Sequence, residues 1–148
     1  MDREILYRGL NFQKEWVYGD LFHSYANDDI AIAYYREGCK TPTFDAIFPE
    51  SFGQYTGLTD KNGVKIFEGD IISLGDPNIK YLTMWYNAGF AVKQIGASSY
   101  IGLTYWASDI EVLGNVIDNH ELINLKSATK PLNVLIAFTR PLITEFAD

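Results

Sequence analysis

The chain has 148 residues, with 19 acidic against 12 basic side chains and a formal charge of −7. Its 47% hydrophobic and 21% charged residues exclude a disordered tail and leave room for one domain of ordinary size. The Lys and Arg are scattered with no cluster of three, which disfavours direct binding of nucleic acid or an anionic membrane; solubility is the simplest reading of the acidic balance.

Ten Tyr, nine Phe and three Trp favour strands over helices, because aromatic side chains suit a pleated, half-buried surface. The lone Cys39 cannot form an internal disulfide. No apolar stretch of signal-peptide type follows Met1-Asp2-Arg3-Glu4. Apolar runs such as Val134 to Phe138 are far short of the roughly 20 residues of a membrane helix. These features predict a soluble cytoplasmic protein.

In chain order, Ile5-Leu6-Tyr7 reads as a first strand, broken at Gly9 and Asn11. Trp16, Tyr18, Asp20 and Phe22 alternate with Val17, Gly19 and Leu21, the pattern of a strand with two distinct faces. Asn27-Asp28-Asp29 is a turn, Ile30 to Tyr35 the returning strand, and Phe44 to Phe48 a further one, followed by a helical turn begun at Pro49. Gln54-Tyr55-Thr56 is extended. Asp60-Lys61-Asn62-Gly63 is the strongest turn signal in the chain, Glu68-Gly69-Asp70 a second sharp turn, and Ile71 to Leu74 the strand behind it.

After a turn at Asp76-Pro77-Asn78, Tyr81 to Tyr86 and Phe90 to Gln94 flank Asn87-Ala88-Gly89 as a hairpin. Tyr100 to Ala107 fits either a strand or a short helix. Val112 to Ile117 reads as a strand interrupted by Gly114, and Asn119 as the cap of a short helix over His120 to Ile123. Lys126 to Pro131 is a linker and Asn133 to Phe138 a final strand. Turn signals about every 8–12 residues point to a mainly β fold: a small, partly open β-barrel or a curved antiparallel sheet, with one or two short helices.

Three segments carry a family resemblance. They are Arg3 to Gly9 with Glu15 to Leu21; Gly53-Gln54-Tyr55-Thr56-Gly57-Leu58-Thr59-Asp60-Lys61-Asn62-Gly63 running into Ile66-Phe67-Glu68-Gly69-Asp70-Ile71-Ile72; and Glu111 to Asn119, ending at Glu121-Leu122. In order and spacing they resemble the YopX family of phage and prophage proteins, the middle segment most specifically. The resemblance implies a mainly β domain over residues 1–125 in the cytoplasm of a bacterial host. It brings no catalytic residues and no cofactor. Residues 126–148 fall outside the pattern as a C-terminal extension, packed on the domain or on another subunit.

Site candidates divide into two sets. Trp16, Tyr18, Tyr55 and Trp85 are aromatic candidates for binding a host or phage protein, with Trp106 beside them; core packing is the commoner fate of such side chains. Asp20, Gln54, Glu68 and Asp70 form an alternative, an acidic pocket of a small ligand-binding domain or enzyme, if they converge. Against it, Glu68 and Asp70 also suit a plain turn. His23, His120 and Cys39 have no partner at metal-ligand or nucleophile spacing, and no phosphate-binding Gly loop occurs. The non-catalytic interaction protein is the leading reading, with no metal and no cofactor.

The segment Leu132 to Phe138 is more apolar than a free terminus should be, and burying its large side chains is worth roughly 1.5–3 kcal/mol each before entropy. Deleting residues 127–148 is therefore expected to lower solubility or change the oligomeric state on size-exclusion chromatography. An equally stable protein with an unaltered profile would contradict this.

Overall fold

Short runs of β-branched and aromatic residues between turn signals become eleven antiparallel strands in the computed structural model, which describes residues 3–24, 29–103 and 108–123. They are β1 (Tyr7–Leu10), β2 (Trp16–His23), β3 (Ile30–Tyr34), β4 (Thr43–Ala46), β5 (Gly53–Thr59), β6 (Lys65–Phe67), β7 (Asp70–Ser73), β8 (Tyr81–Tyr86), β9 (Gly89–Gln94), β10 (Tyr100–Gly102) and β11 (Glu111–Asn115). One sheet has the order β4-β3-β2-β1-β5-β6 and the other β10-β9-β8-β7-β11. Neither closes into a barrel, and the short helices are single 3-10 turns at Pro49–Ser51 and His120–Leu122. Among the described residues no helix is long and apolar enough to cross a membrane.

The chain divides into two compact units, Met1–Tyr55 and Thr56–Asp148, with the boundary inside β5. In the first unit, Val17, Ile32 and Ile47 form the buried core, with Tyr7, Ile30, Tyr34 and Phe52 against it. An isolated bridge from Asn11 to Ile47 ties the end of β4 back to the end of β1. Asp45 on β4 reinforces this tie: its Oδ2 accepts hydrogen bonds from Asn11 Nδ2 (3.1 Å) and the Tyr34 hydroxyl (2.9 Å). That bond to Asp45, aided by burial, raises the Tyr34 pKa above its ordinary value.

In the second unit, β7 is buried along its whole length. Neighbouring strand residues point to opposite faces, so Ile71 and Ile72 enter different cores. Ile71 joins Leu82, Ile95, Val116 and Ile123; Ile72 joins Ile66, Val92, Leu103 and Ile110. Both isoleucines are fully buried, each worth about 1.5–3 kcal/mol of apolar burial.

Two local expectations change and one holds. β1 starts later than Ile5 and runs through Gly9 without a break, because the Ile47 side chain fills the space that a Cβ there would occupy. Asn119 stands at the N-cap position of the His120–Leu122 turn, and its carbonyl accepts from Leu122 N–H (2.9 Å), but its side chain makes no cap bond. Its Oδ1 accepts from Asn115 N–H at 3.2 Å, folding back over Gly114, where a Cβ would collide with it. β11 is interrupted by a register shift between Val112 and Gly114, the place where the glycine suggested a break. The predicted turn residues Asn27 and Asp28, Trp106, the linker, the final strand and the extension 126–148 lie outside the described residues.

The strongest turn signal is held by a buried carboxylate. Asp60 is 6% exposed. Its Oδ1 accepts from Asn62 and Val64 N–H, both at 2.9 Å, and its Oδ2 from Val112 N–H at 3.0 Å, 52 positions away. Lys61 N–H donates to the Ile110 carbonyl alongside (2.9 Å). Burial pushes the Asp60 pKa up, but the three backbone donors and the Lys61 charge together hold it below the ordinary carboxylate range.

Two predictions follow from the turns. A pKa depressed in the folded state, as at Asp60, gives stability that is complete above the ordinary carboxylate value of the unfolded chain and is lost as pH falls through the folded value. Asp60→Ala should therefore lower the unfolding free energy at neutral pH by roughly 1–3 kcal/mol, and the gap to the native protein should shrink in acid; urea titrations giving a pH-independent gap would contradict this. The β8–β9 hairpin turns through Asn87 and Ala88 with φ of 54° and 67°, a two-residue turn in which alanine is strained. Ala88→Gly should raise stability by about 1 kcal/mol in the same titration, and a loss of stability would refute the strain.

Candidate interaction surfaces

The alternation in β2 sends Val17 into the first core and Tyr18, Asp20 and Phe22 to the other side of the sheet. Register extends that face across β3 and β4. Asp20 pairs with Ala33 and Phe22 with Ala31; beyond them Ala33 pairs with Phe44 and Ala31 with Ala46. Small alanines thus lie between aromatic rows. Tyr18, Phe22 and Phe44 are 47%, 49% and 52% exposed. Phe22 and Phe44 meet edge to face across β3, with ring centroids 5.1 Å apart. Single exposed apolar residues are ordinary, whereas the touching Phe22 and Phe44 rings beside small alanines make a patch suited to contact.

Asp20 places an exposed charge on this face, and its carboxylate makes no hydrogen bond or ion pair with the described residues. Arg8, opposite Tyr18 on β1, is buried, and its guanidinium lies over the Trp16 ring at 4.8 Å. Trp16 is half-buried beneath that contact. Tyr55 on β5 is 7% exposed and offers little surface.

The remaining aromatic candidate, Trp85, lies in the second unit near the tip of the β8–β9 hairpin. It is 54% exposed, with its ring edge-on to Phe90 at 4.9 Å. On the opposite face of β8, Tyr86 stacks parallel on Tyr100 at 3.8 Å. A cleft of about 200 Å³ opens in the same unit between Leu74, Asp76, Ile79, Tyr81 and Ile101. It is smaller than the usual small-molecule site of about 300–1,000 Å³.

The acidic set is placed as follows. Asp20 and Gln54 both belong to the first unit, but Gln54 pairs with Tyr7, which itself pairs with Gly19, so Gln54 and Asp20 lie on opposite faces of the sheet. Glu68 and Asp70 flank Gly69 in the second unit. Asp70 is 2% exposed, and its Oδ2 accepts from Phe67 N–H at 2.7 Å. Gly69 sits at φ 95°, donating to the Thr83 carbonyl and accepting from Val116 N–H. That glycine ties the β6–β7 turn to β8 and to the residue just past β11 through its own backbone, in a conformation costly for other residues. Thr56 is similarly engaged: its hydroxyl donates to the Ile66 carbonyl (2.8 Å) and accepts from Leu58 N–H. His23, His120 and Cys39 are exposed, and no group of three or more metal-ligating side chains converges among the described residues.

Phe22 and Phe44 were not singled out by the sequence. The signal for Phe22 was present: it shares the alternating row of Asp20, whose charge marks the solvent side. Phe44 needed the β3–β4 register.

Comparison with known proteins supports this architecture. The crystal structure of protein EF1440 from Enterococcus faecalis matches with a TM-score of 0.55 at 23% identity, covering 82% of this chain and 99% of that one, a likeness of fold. No curated protein matches the sequence significantly. The family model described as YopX protein matches residues 6–124, most of the chain and all three resembling segments from Leu6 onward. The chain belongs to the YopX family.

Proposed function

We propose that this protein is a non-catalytic interaction protein of a phage or prophage that binds a host or phage protein in the bacterial cytoplasm, through the aromatic face of β2–β4. The observation that carries the reading is the exposed row of Tyr18, Phe22 and Phe44 over Ala31, Ala33 and Ala46. Interface energy concentrates in a few large rings on rigid elements, which is what a sheet face supplies. The polar residues of the most family-like segment add support from the other side. Asp60, Thr56 and Asp70 each hold backbone N–H or carbonyl groups of their own fold. Trp85 forms a separate surface in the other unit.

The test is capture of partners by tagged protein from host lysate, with and without expressed phage genes, read by mass spectrometry. The native protein should be compared with Tyr18→Ala/Phe44→Ala and with Trp85→Ala, each checked for retained fold by thermal melting. A partner recovered by the native and Trp85→Ala proteins should fall about tenfold or more with the double variant, because two hot-spot rings together exceed one decade of affinity. Equal recovery by the folded double variant would overturn the assignment of this face.

A further inference from the structure

We infer that the β2–β4 face recognises an arginine side chain of its partner, with Asp20 as the charged anchor and Tyr18, Phe22 and Phe44 as the rings beside it. The inference rests on reading that face as a docking surface and goes on to name its ligand chemistry. Three observations bring it forward. Asp20 sits in the aromatic row, between Tyr18 and Phe22 along β2, and is exposed. Its carboxylate has no hydrogen bond or ion pair with the described residues. Arg8, which pairs with Tyr18 on the neighbouring strand, is buried and stacked on Trp16 and makes no ion pair with Asp20.

A purely apolar occupant would bury the Asp20 charge uncompensated, which costs several kcal/mol per ion. The same cost opposes a second copy seated face to face, which would bring a second Asp20 into the contact. A cation removes that cost. Among cations, guanidinium fits best: it is planar, weakly hydrated, bonds a carboxylate through two parallel N–H groups and stacks on aromatic rings. The Arg8–Trp16 contact at 4.8 Å is the same chemistry used internally. The alanine floor leaves depth for the aliphatic stem. The net charge of −7 adds long-range attraction for a basic segment.

The probe is the blocked tripeptide acetyl-Leu-Arg-Leu-amide, titrated into the full chain and followed by amide NMR shifts. The glutamine and lysine counterparts serve as comparators. The arginine peptide should shift Tyr18, Asp20, Phe22, Ala33 and Phe44 and bind about fivefold or more tightly than the glutamine peptide. Asp20→Asn, an exposed change that leaves the cores untouched, should abolish this preference, and raised salt should weaken it. Equal binding of arginine and glutamine peptides, or a preference that survives Asp20→Asn, would overturn the inference. A lysine peptide that binds as tightly as the arginine one would overturn the guanidinium assignment. A lysate partner that depends on Tyr18 and Phe44 but is indifferent to Asp20→Asn would defeat this inference and leave the docking face standing; a partner indifferent to all three would remove both.

Discussion

The buried carboxylate of Asp60 is the contact on which the second unit depends. A charge taken out of water is costly unless its lone pairs are filled. Here they are filled by N–H groups of its own turn and by that of Val112, 52 positions further along the chain. Two of the donors shape the β5–β6 turn; the third belongs to β11, the outer strand of the other sheet. Ile110, beside that third donor, is fully buried in the core that also holds Ile66 and Ile72. One side chain therefore fixes a turn, holds an edge strand and orients a core residue.

The same economy runs through the rest of the most family-like segment. Thr56 bridges β5 and β6 through its hydroxyl, Asp70 receives the Phe67 amide, and Gly69 offers its backbone to β8 and to the end of β11. Polar residues in such a segment invite an enzymatic reading, yet each named group satisfies a backbone group of the fold. Elsewhere, on β2–β4, rings and one carboxylate face solvent. The polar groups of the family-like segment hold the fold together, whereas the docking role proposed for the exposed face rests on its rings and its one carboxylate.

Much of this was legible before any coordinates. The alternation from Trp16 to Phe22 separated the two faces of β2, because Val17 and Asp20 fall on opposite parities and differ in the environment they tolerate. Asp60 to Gly63 announced a turn, since Asp and Gly stabilise turns through local bonds and positive φ. What sequence could not reveal was partnership at long range. Nothing local ties Asp60 to Val112, or places Ala31 and Ala33 between Phe22 and Phe44. Local signals also misled where tertiary contacts overrode them. Gly9 resembled a break but gives room to Ile47, and Asn119 takes the cap position while its side chain accepts from Asn115 N–H rather than capping the turn. Tyr55 was a plausible binding ring whose burial is decided by its strand neighbours.

The most direct test of the central claim, that the signature acid is a structural anchor, is an NMR pH titration of the Asn62, Val64 and Val112 amide protons. Three donors to one carboxylate should respond as one. The account predicts a shared apparent pKa below the ordinary Asp range for all three, with slow hydrogen exchange above it. Separate titrations, or a Val112 amide that ignores the event sensed by Asn62 and Val64, would contradict it.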